Sequence, residues 1–299
     1  MLSAPVLITA WRQQAGCEAI SCAVSLIRGQ DRARTLIRPA AGPILAFMRQ
    51  ADRLSTILER LAADGTVGVA ELCEDLDVSA ATIRRDLELL EEQRLLARTH
   101  GGAVPLGVLY ELPLRYKSGR RIEEKRRIAR AAAELVADGI AVGLTGGTTS
   151  TEVARALVEH QRLTVVTNAL NIASELAVRP NLKLVVTGGY ARAESYELVG
   201  PLAEASLAAL NLDIVFLGTD GIDARAGLTT HHEVEAHTNL ALIERARRVV
   251  VVADSTKIGA VAFARICPVD RVHELITDTE ADADAVAALR EAGVAVSTV

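Results

Sequence analysis

Aromatic residues are scarce in this chain, and long apolar runs are missing from it. Phe, Trp and Tyr make up only 3% of the 299 residues, so Ala, Val and Leu must supply most of the core, as is normal for a helix-covered parallel sheet. No apolar run approaches the ~18 residues that a membrane-spanning helix needs. The N-terminus also lacks the basic start, apolar core and small-residue cleavage site of a signal peptide. We therefore expect a cytoplasmic protein with no membrane partner.

Cysteines arranged for a metal or a disulfide framework are missing too. The four cysteines, at positions 17, 22, 73 and 267, show neither paired metal-ligand spacing nor a secreted disulfide pattern. Histidines offer the other metal candidate, but His232 and His237 are five residues apart, whereas two ligands on one helical face must be four apart. We expect reduced thiols, no metal and no cofactor. The histidines are interpreted as polar residues at the edge of a pocket or an interface.

Lysine is rare, with four residues against 29 arginines in a chain whose net charge is −5. This preference for arginine is interpreted as a reflection of genomic base composition, and it makes the few lysines informative. Two of them, Lys125 and Lys257, are candidates for a binding site.

The segment 69–104 has the pattern of a helix pair followed by a β-hairpin. Apolar residues repeat at helical spacing up to Leu76, and Ser79 can then cap a second helix. That second helix carries Ile83 and Leu87 on one face and a pair of arginines elsewhere, and a Gly-Gly turn follows it. A helix packed across another in this way places the N-terminal residues of the second helix at base edges in the major groove.

The residues expected to contact DNA lie at the start of the second helix and in the hairpin after it. They are Ser79, Ala80, Thr82, Arg84, Arg85, Arg98, His100 and Gly101. The expected partner is double-stranded operator DNA. Because a single copy should bind weakly, a homo-oligomer (dimer or tetramer) that binds repeated half-sites is expected as well.

The net charge of this segment argues against DNA binding, although the spacing of its helices, arginine pair and Gly-Gly turn argues for it. Residues 50–105 contain six arginines, no lysine and eleven acidic residues, a net charge of −5. Phosphates attract a basic surface, so the acids must face away from the duplex. Positive charge gathers at the hairpin and just beyond it, at Arg94, Arg98, Arg115, Lys117, Arg120 and Arg121. The alternative is an amphipathic helical hairpin that serves as an interaction module.

Four segments are predicted along the chain. Residues 1–47 have no clean hydrophobic period and are interpreted as a poorly ordered extension or as the result of a start site assigned upstream of Met48. Residues 50–105 form the helix pair and hairpin, residues 106–119 a linker punctuated by Pro and Gly, and residues 120–299 one α/β domain.

Strand-like and helical runs alternate through the α/β domain. The strand candidates are 140–144, 163–167, 183–187, 214–218, 249–253, 275–277 and 294–298. The helix candidates are 123–137, 150–159, 171–178, 204–209, 233–245 and 284–292. Continuous Val and Ile runs separated by helices are typical of a parallel sheet that is buried on both faces. The predicted fold class is α/β, with an N-terminal winged helix-turn-helix and a mostly parallel, helix-covered sheet.

Small polar residues follow nearly every strand candidate, and ligands bind beyond the carboxyl ends of strands in open parallel sheets. At 145–150, a glycine pair and four hydroxyl residues stand where a strand turns into a helix, so backbone amides could approach an anion there. Such turns are common, and this one has neither Walker A nor dinucleotide-binding spacing. Lys257 adds a compact charge that suits a phosphate or sugar oxygen.

The candidate effector-binding residues follow from this placement. They are Lys125, Gly146, Gly147, Thr148, Thr149, Asn168, Gly188, Asp220 and Lys257. For Lys125, which follows two glutamates at the start of a helix, an exposed helix charge is an equally good interpretation.

Both parts of the chain resemble the DeoR family of bacterial transcriptional regulators. The helix pair, arginine pair and Gly-Gly wing carry the resemblance over about residues 50–105, and similarity to the family's sensor domain runs from Glu123 to the end. The sensor motifs are 124–125, 146–149, 167–168, 188–189, 198–200, 218–223, 227–229 and 253–259. The chain departs from the family at Thr145, where members often carry Asp, and at Asn239, where they often carry Lys.

The resemblance implies a sensor domain similar in fold to ribose-5-phosphate isomerase. It also implies a regulator, usually a repressor, of sugar or related catabolic genes, which a phosphorylated sugar effector releases from DNA. The alternative is a sugar-phosphate isomerase-like enzyme, because Asp220 and Asp223 share an acidic loop and a general base needs such a carboxylate. A fused DNA-binding module favours sensing, and fold alone does not license an activity. We therefore expect no enzyme and no catalytic residues.

Overall fold

The computed structural model describes residues 50–106 and 113–299. The predicted extension at 1–47 lies outside these described residues. Among the helices that are described, none is both long and apolar enough to cross a membrane.

The first group of elements is a three-helix unit with a small sheet. Its helices are α1 (Gln50–Asp64), α2 (Val69–Leu76) and α3 (Ala80–Glu92). Its strands are β1 (Val67–Gly68), β2 (Leu96–Arg98) and β3 (Gly102–Pro105), which pair antiparallel in the order β1-β3-β2. The predicted apolar faces are buried together, with Leu72, Ile83 and Leu87 in one core. The predicted winged helix-turn-helix is confirmed.

Two local features fix the turn between α2 and α3. The last turn of α2 ends at Asp77, which adopts a left-handed conformation with a φ of 49°. Helix α3 begins after Ser79, whose hydroxyl accepts a hydrogen bond from the Thr82 amide at 3.2 Å. A cap of this kind contributes about 1 kcal/mol. The cap sets where the helix starts, and so it decides that Arg84 and Arg85 face outward.

A buried ion pair holds α3 against α1. The Asp86 side chain is 1% exposed, and Arg53 Nε donates to Asp86 Oδ2 at 2.8 Å. Gln50 Nε2 donates to the other carboxylate oxygen at 3.2 Å. The charged side of α1 is thereby joined to the back of α3, a contact that the sequence pattern did not predict.

The second group is an α/β domain. In chain order its strands are β4 (Ala141–Leu144), β5 (Thr164–Thr167), β6 (Lys183–Val186), β7 (Tyr190–Ala191), β8 (Leu198–Val199), β9 (Leu212–Leu217), β10 (Gly221–Asp223), β11 (Gly227–Thr230), β12 (Ala246–Val252), β13 (Ala264–Cys267), β14 (Glu274–Thr277) and β15 (Ala295–Thr298). Its helices are α4 (Leu114–Lys117), α5 (Ile122–Glu134), α6 (Thr148–Ala156), α7 (Leu170–Leu176), α8 (Pro201–Leu207), α9 (Glu233–Glu244) and α10 (Ala283–Glu291).

Seven of these strands form one parallel sheet, in the order β15-β14-β12-β9-β4-β5-β6. Helices α5, α6 and α7 cover one face, and α8, α9 and α10 cover the other. The central position of β12 explains why its sequence contains an uninterrupted run of valine. Val250 and Val252 pack on the face that α5, α6 and α7 cover, whereas Val249 and Val251 pack on the face that α8, α9 and α10 cover. The predicted parallel sheet, buried on both faces, is confirmed.

Each predicted strand and helix of the α/β domain corresponds to an observed element whose ends differ by a few residues. The sequence pattern missed five short antiparallel strands (β7, β8, β10, β11 and β13). It also missed the one-turn helix α4, which lies within the segment predicted as a linker. Elements of two to four residues are too short to give a hydrophobic period.

We expect Arg53→Ala to destabilise the N-terminal domain, because it leaves the Asp86 carboxylate buried without its charged partner. Removing one member of a buried pair costs about 3–5 kcal/mol, and urea unfolding of the full chain would measure the loss. The matched control is Arg60→Ala on the same helix. Arg60 pairs with Asp75, both are 39% exposed, and exposed pairs contribute at most about 1 kcal/mol. Equal losses in the two variants would contradict the prediction.

Candidate functional site

The order of the parallel sheet reverses between β4 and β9. From β4 the chain proceeds to β5 and β6 on one side, and then returns to β9 and β12 on the other. The crevice beyond the strand ends at such a point is where open α/β sheets bind ligands. Gly146 follows β4, and a side chain at Gly218, which follows β9, would meet the Gly146 carbonyl oxygen at 2.8 Å. Glycine is therefore required for the two loops to approach each other.

A cavity opens at this point, and we call it the switch-point cavity. Six of the predicted effector residues line it, namely Gly146, Gly147, Thr148, Thr149, Asp220 and Lys257. Twelve further lining residues were not among those predicted, and six of them are Lys117, Ser195, Glu197, Glu235, Asn239 and Asp254. Most of these six come from α4, from the β7–β8 hairpin and from α9, which are distant in sequence. No local motif could have identified them together.

Three predicted effector residues are absent from the lining of the switch-point cavity: Lys125, which is described below, Asn168 and Gly188. Asn168 is fully buried, and its Nδ2 donates to the Leu198 carbonyl oxygen at 3.4 Å. The amide of Gly188 donates to Ser206 Oγ at 3.0 Å. Asn168 and Gly188 thus contact the neighbouring β8 strand and α8, and their role as ligand contacts stays a prediction.

Asp220 lies at the centre of the charged groups in the switch-point cavity. Lys117 Nζ and Lys257 Nζ are each 3.6 Å from Asp220 Oδ1, and His231 Nε2 is 3.8 Å away. Burial by itself would raise the pKa of this carboxyl, but the two lysines and the histidine outweigh it and lower the pKa to about 2. Asp220 is therefore ionised at neutral pH and accepts hydrogen bonds. Thr230 Oγ1 already donates one to Asp220 Oδ2 at 3.1 Å.

The glycine loop after β4 is not an open set of amides. Glu197, which is buried, accepts a hydrogen bond from the Gly146 amide through Oε1 at 2.5 Å. Thr145 Oγ1 accepts one from the Gly218 amide at 3.0 Å and so joins the two glycine loops. The amide that the sequence pattern offered to an anion is thus occupied by a carboxylate.

Two buried polar atoms near the cavity lack a protein partner. Among the described residues, nothing hydrogen-bonds to Asn239 Oδ1 or Ser195 Oγ, although both residues line the cavity and are buried. Buried polar groups are nearly always hydrogen-bonded. The pair is therefore suited to a polar ligand.

The acidic loop does not bring two carboxylates to the cavity. Asp223, which supported the isomerase alternative together with Asp220, is absent from the lining. Its Oδ1 accepts hydrogen bonds from the Arg225 and Ala226 amides at 2.8 Å each, and these lower its pKa. Asp223 caps the turn between β10 and β11.

The histidines that suggested a metal also have other partners. His232 Nδ1 accepts a hydrogen bond from the Val234 amide at 3.3 Å, at the start of α9. Glu235 is paired with Arg192. Across the described residues, no group of three or more His, Cys, Asp or Glu is placed to hold a metal ion.

Lys125 is 3% exposed, so the alternative of an exposed helix charge is wrong. Its Nζ donates to the carbonyl oxygens of Arg120 at 2.6 Å and Lys117 at 3.3 Å, and lies 3.9 Å from Asp254 Oδ2. Burial lowers the pKa of Lys125 to about 8, against the opposing attraction of Asp254. Lys125 therefore lies beneath the turn that connects the two domains.

A second cavity lies between α1 and the α/β domain, and we call it the junction cavity. Its lining consists of Leu58, Glu59, Lys117, Arg120, Arg121, Lys125, Thr148, His231, Asp254, Thr256 and Lys257. Four of these residues also line the switch-point cavity, which makes the two cavities neighbours.

The candidate DNA-binding face is only partly free. Arg84 and Arg85 are exposed on α3, and His100 and Gly101 are exposed at the tip of the hairpin. Arg98, however, donates through Nε to Glu91 Oε2 at 2.7 Å, so its guanidinium is shared with an acid of α3.

The basic residues beyond the hairpin do not extend this face. Lys117 lies beside Asp220, and Arg120 pairs with Glu59 at 2.6 Å. Arg121 contacts Asp278 and Glu280, and Arg115 donates to Gln93 Oε1 at 3.0 Å. The predicted gathering of positive charge for DNA is wrong for these four residues, because the fold turns them toward internal partners.

Comparison with known proteins gives two matches that together span most of the described chain. Residues 53–106 match the DeoR-like helix-turn-helix domain, and residues 120–279 match the DeoR C-terminal sensor domain. The putative aga operon transcriptional repressor of Escherichia coli O157:H7 is 37% identical over 82% of this chain and 92% of its own. The glycerol-3-phosphate regulon repressor of Escherichia coli K12 is 36% identical over 77% of this chain and 92% of its own.

Solved structures give weaker similarity. The sorbitol operon regulator SorC of Klebsiella pneumoniae aligns over 81% of this chain and 99% of its own, with 12% identity and a TM-score of 0.35. Ribose 5-phosphate isomerase A of Methanocaldococcus jannaschii aligns over 46% of this chain and 54% of its own, with 21% identity and a TM-score of 0.34.

We expect anion binding in the junction cavity, which Lys125 lines, to weaken above about pH 8, because Lys125 is charged below that pH and neutral above it. Asp254, Lys257, Arg120 and Lys117 face it. Sulfate keeps its charge between about pH 7 and about pH 9.5, so calorimetry can follow its affinity across that range. The affinity should be level up to about pH 8 and then fall by up to about tenfold per pH unit.

Two variants control this pH profile. Lys125→Met should bind sulfate weakly and without the step, whereas Lys183→Met, which changes an exposed lysine on β6, should keep the wild-type profile. A step that persists in Lys125→Met would show that another group titrates.

Proposed function

Because the chain belongs to the DeoR family of transcriptional regulators, we propose that it represses genes for the use of a sugar or related compound and that a phosphorylated effector releases it from operator DNA. One observation carries this proposal. A helix-turn-helix with outward arginines is joined, through the turn at α4, to a cavity that mixes lysines with buried hydrogen-bonding groups. The name of the glycerol-3-phosphate regulon repressor contains a phosphorylated compound, which supports the effector class.

The effector phosphate belongs near Lys257 and the first turn of α6. The first amides of a helix have no partner within it and favour an anion, and Thr148 begins this helix. The hydroxyl groups of the effector belong at Asp220, Asn239 and Ser195. An unsatisfied buried polar atom costs about 1–3 kcal/mol, so a hydroxyl that bonds to Asn239 Oδ1 or Ser195 Oγ would recover that free energy.

The operator-binding form is proposed to be a homo-oligomer. Only a few side chains on one copy reach the major groove, and helix-turn-helix proteins combine two half-sites one helical turn apart to gain affinity. The excess of acidic residues in 50–105 strengthens the argument for an oligomer, since a single domain with this charge attracts phosphates weakly. A dimer or tetramer would present two or more copies of α3.

Release from DNA requires the effector to favour one arrangement of the protein. A ligand with equal affinity for the DNA-competent and DNA-incompetent arrangements shifts nothing, however tightly it binds. Couplings of about 1–3 kcal/mol are typical and correspond to roughly 5–150-fold weaker operator binding at saturation.

We expect loss of Arg84 and Arg85 to abolish most operator affinity. A bidentate arginine–guanine contact is worth about 1–3 kcal/mol, so the double substitution Arg84→Ala, Arg85→Ala should cost at least about tenfold. The operator is first selected from random-sequence DNA with the wild-type chain, and affinities are then measured at fixed salt. The control is Arg225→Ala, Arg247→Ala, which removes the same charge from exposed positions of the α/β domain. Equal affinities of the two double variants would refute the assignment.

We expect Lys257→Ala to leave operator binding intact and to lose the response to effector. Lys257 lies in the cavity and away from α3, so its loss should weaken phosphate binding while the DNA-binding surface is unchanged. A thermal-shift screen of phosphorylated sugars and polyols with the wild type identifies the ligand for the measurement. Release of Lys257→Ala from operator at the wild-type ligand concentration would show that the phosphate lies elsewhere.

A further inference from the structure

The junction cavity is basic, and both domains contribute to it. Arg120, Lys125 and Lys257 lie on its α/β side, together with two further cations of the α4 turn. Among the described lining residues, the acids are Asp254 and Glu59. Glu59 is the acid that the DNA-binding domain contributes, from helix α1.

Glu59 makes a two-pronged contact with the connecting turn. Arg120 Nη1 lies 2.6 Å from Glu59 Oε1, and Arg120 Nη2 donates to Oε2 at 2.7 Å. Ser55 Oγ donates to Oε1 at 2.9 Å. The Glu59 side chain is 34% exposed, so solvent screens this pair and an incoming anion can reach it. The Glu59 carboxylate thus occupies, at the rim of a basic cavity, a position that an external anion could take.

Lys125 lies under the same turn and has only weak anionic partners. Its ammonium donates to the neutral carbonyl oxygens of Lys117 and Arg120, and the Asp254 carboxylate is 3.9 Å away. Hydrogen bonds from an ammonium to a phosphate or carboxylate oxygen are roughly twice as strong as those between neutral groups. A phosphate in the junction cavity would therefore be a better partner for Lys125 than the carbonyl groups are.

Helix α1 connects this cavity to the helix that faces DNA. Glu59 and Arg53 are both on α1, and Arg53 is the residue that binds the buried Asp86 of α3. A change in how α1 contacts the α/β domain is thereby passed to the position of α3.

We propose that an anionic group of the effector binds in the junction cavity in place of the Glu59 carboxylate, so that ligand binding removes the contact that holds α1 against the α/β domain. Glu59, a residue of the DNA-binding domain, then competes with the effector anion for the cations of the junction cavity. This inference rests on the proposed function, because it takes the effector to be anionic. It adds a second anion subsite beside the switch-point cavity, and it gives the coupling between effector and DNA a physical cause.

The first test measures the binding of inorganic phosphate to the full chain by calorimetry, in buffer of constant ionic strength. Glu59→Gln removes the competing charge but keeps the size of the side chain, so phosphate should bind about three- to tenfold more tightly than to wild type. Glu74→Gln, an exposed acid on α2, is the matched control and should bind like wild type. Equal phosphate affinities of Glu59→Gln and Glu74→Gln would overturn the proposal.

The second test measures the affinity for a selected operator with and without saturating phosphate, with chloride replacing it in the control because salt itself weakens DNA binding. In wild type and Glu74→Gln, phosphate should weaken operator binding beyond the chloride control. In Glu59→Gln the contact is absent from the start, so phosphate should change operator affinity no more than chloride does. A response of wild-type size in Glu59→Gln would overturn the proposal.

The two proposals fail in different ways. Lys257 lines both cavities, so Glu59→Gln is the variant that separates the two proposals. If the wild-type chain binds phosphate while Glu59→Gln behaves like its control in both tests, the anion does not compete with Glu59. The proposed function then survives and the junction subsite is refuted. If the wild-type chain binds neither phosphate nor any phosphorylated sugar or polyol, both are refuted.

Discussion

The hydrogen bonds from the Lys125 ammonium to the carbonyl oxygens of Lys117 and Arg120 are the interaction on which the arrangement of both cavities depends. They fix the turn after α4 against α5, the first long helix of the α/β domain. From this turn Lys117 reaches Asp220 in one cavity, and Arg120 reaches Glu59 on α1. A buried ammonium is costly unless its donors are satisfied. The same requirement that keeps Lys125 bonded therefore also joins the DNA-binding domain to the sensor.

In the switch-point cavity, side chains of opposite charge lie close together and stabilise each other's ionised forms. The Asp220 side chain is only 13% exposed yet strongly acidic, because cations from α4 and from the loop after β12 lie within 4 Å of it. Glu197 satisfies the Gly146 amide, and Thr145 joins the two glycine loops. These contacts hold the loops in one geometry before any ligand arrives, which reduces the ordering that binding would otherwise require. The atoms left over, Asn239 Oδ1 and Ser195 Oγ, are neutral. An effector of the proposed class would therefore be selected there by its hydroxyl pattern as well as by its charge.

The N-terminal domain shows that net charge is a poor guide when the charged residues are segregated. Residues 50–105 carry an excess of acid, but Asp86 is buried against Arg53 and Glu91 is bound to Arg98, while Arg84 and Arg85 remain outward. Affinity for DNA depends on the charge near the phosphates and not on the total. The short spacing from the Ser79 cap to the arginines carries that information, and composition does not.

The sequence by itself determined the elements and the location of the ligand crevice. Helical period, the Ser79 cap and uninterrupted valine strands are short-range signals, and each long element of the α/β domain appeared where they placed it. Glycines after β4 and β9 likewise marked the crevice, because only glycine permits two loops to approach so closely.

Tertiary structure decided which side chains face that crevice. It brought in Lys117, Ser195 and Asn239 from distant segments, and it left Asn168 and Gly188 outside the cavity lining, bonded to Leu198 and Ser206. It also placed Arg120, which was expected to add to the positive charge beyond the hairpin, beside Glu59. The physical reason is the sequence distance over which each interaction acts. A hydrophobic period or a helix cap depends on residues only a few positions apart in the sequence. The partner of a buried charge is chosen from every segment that folding brings within a few ångströms.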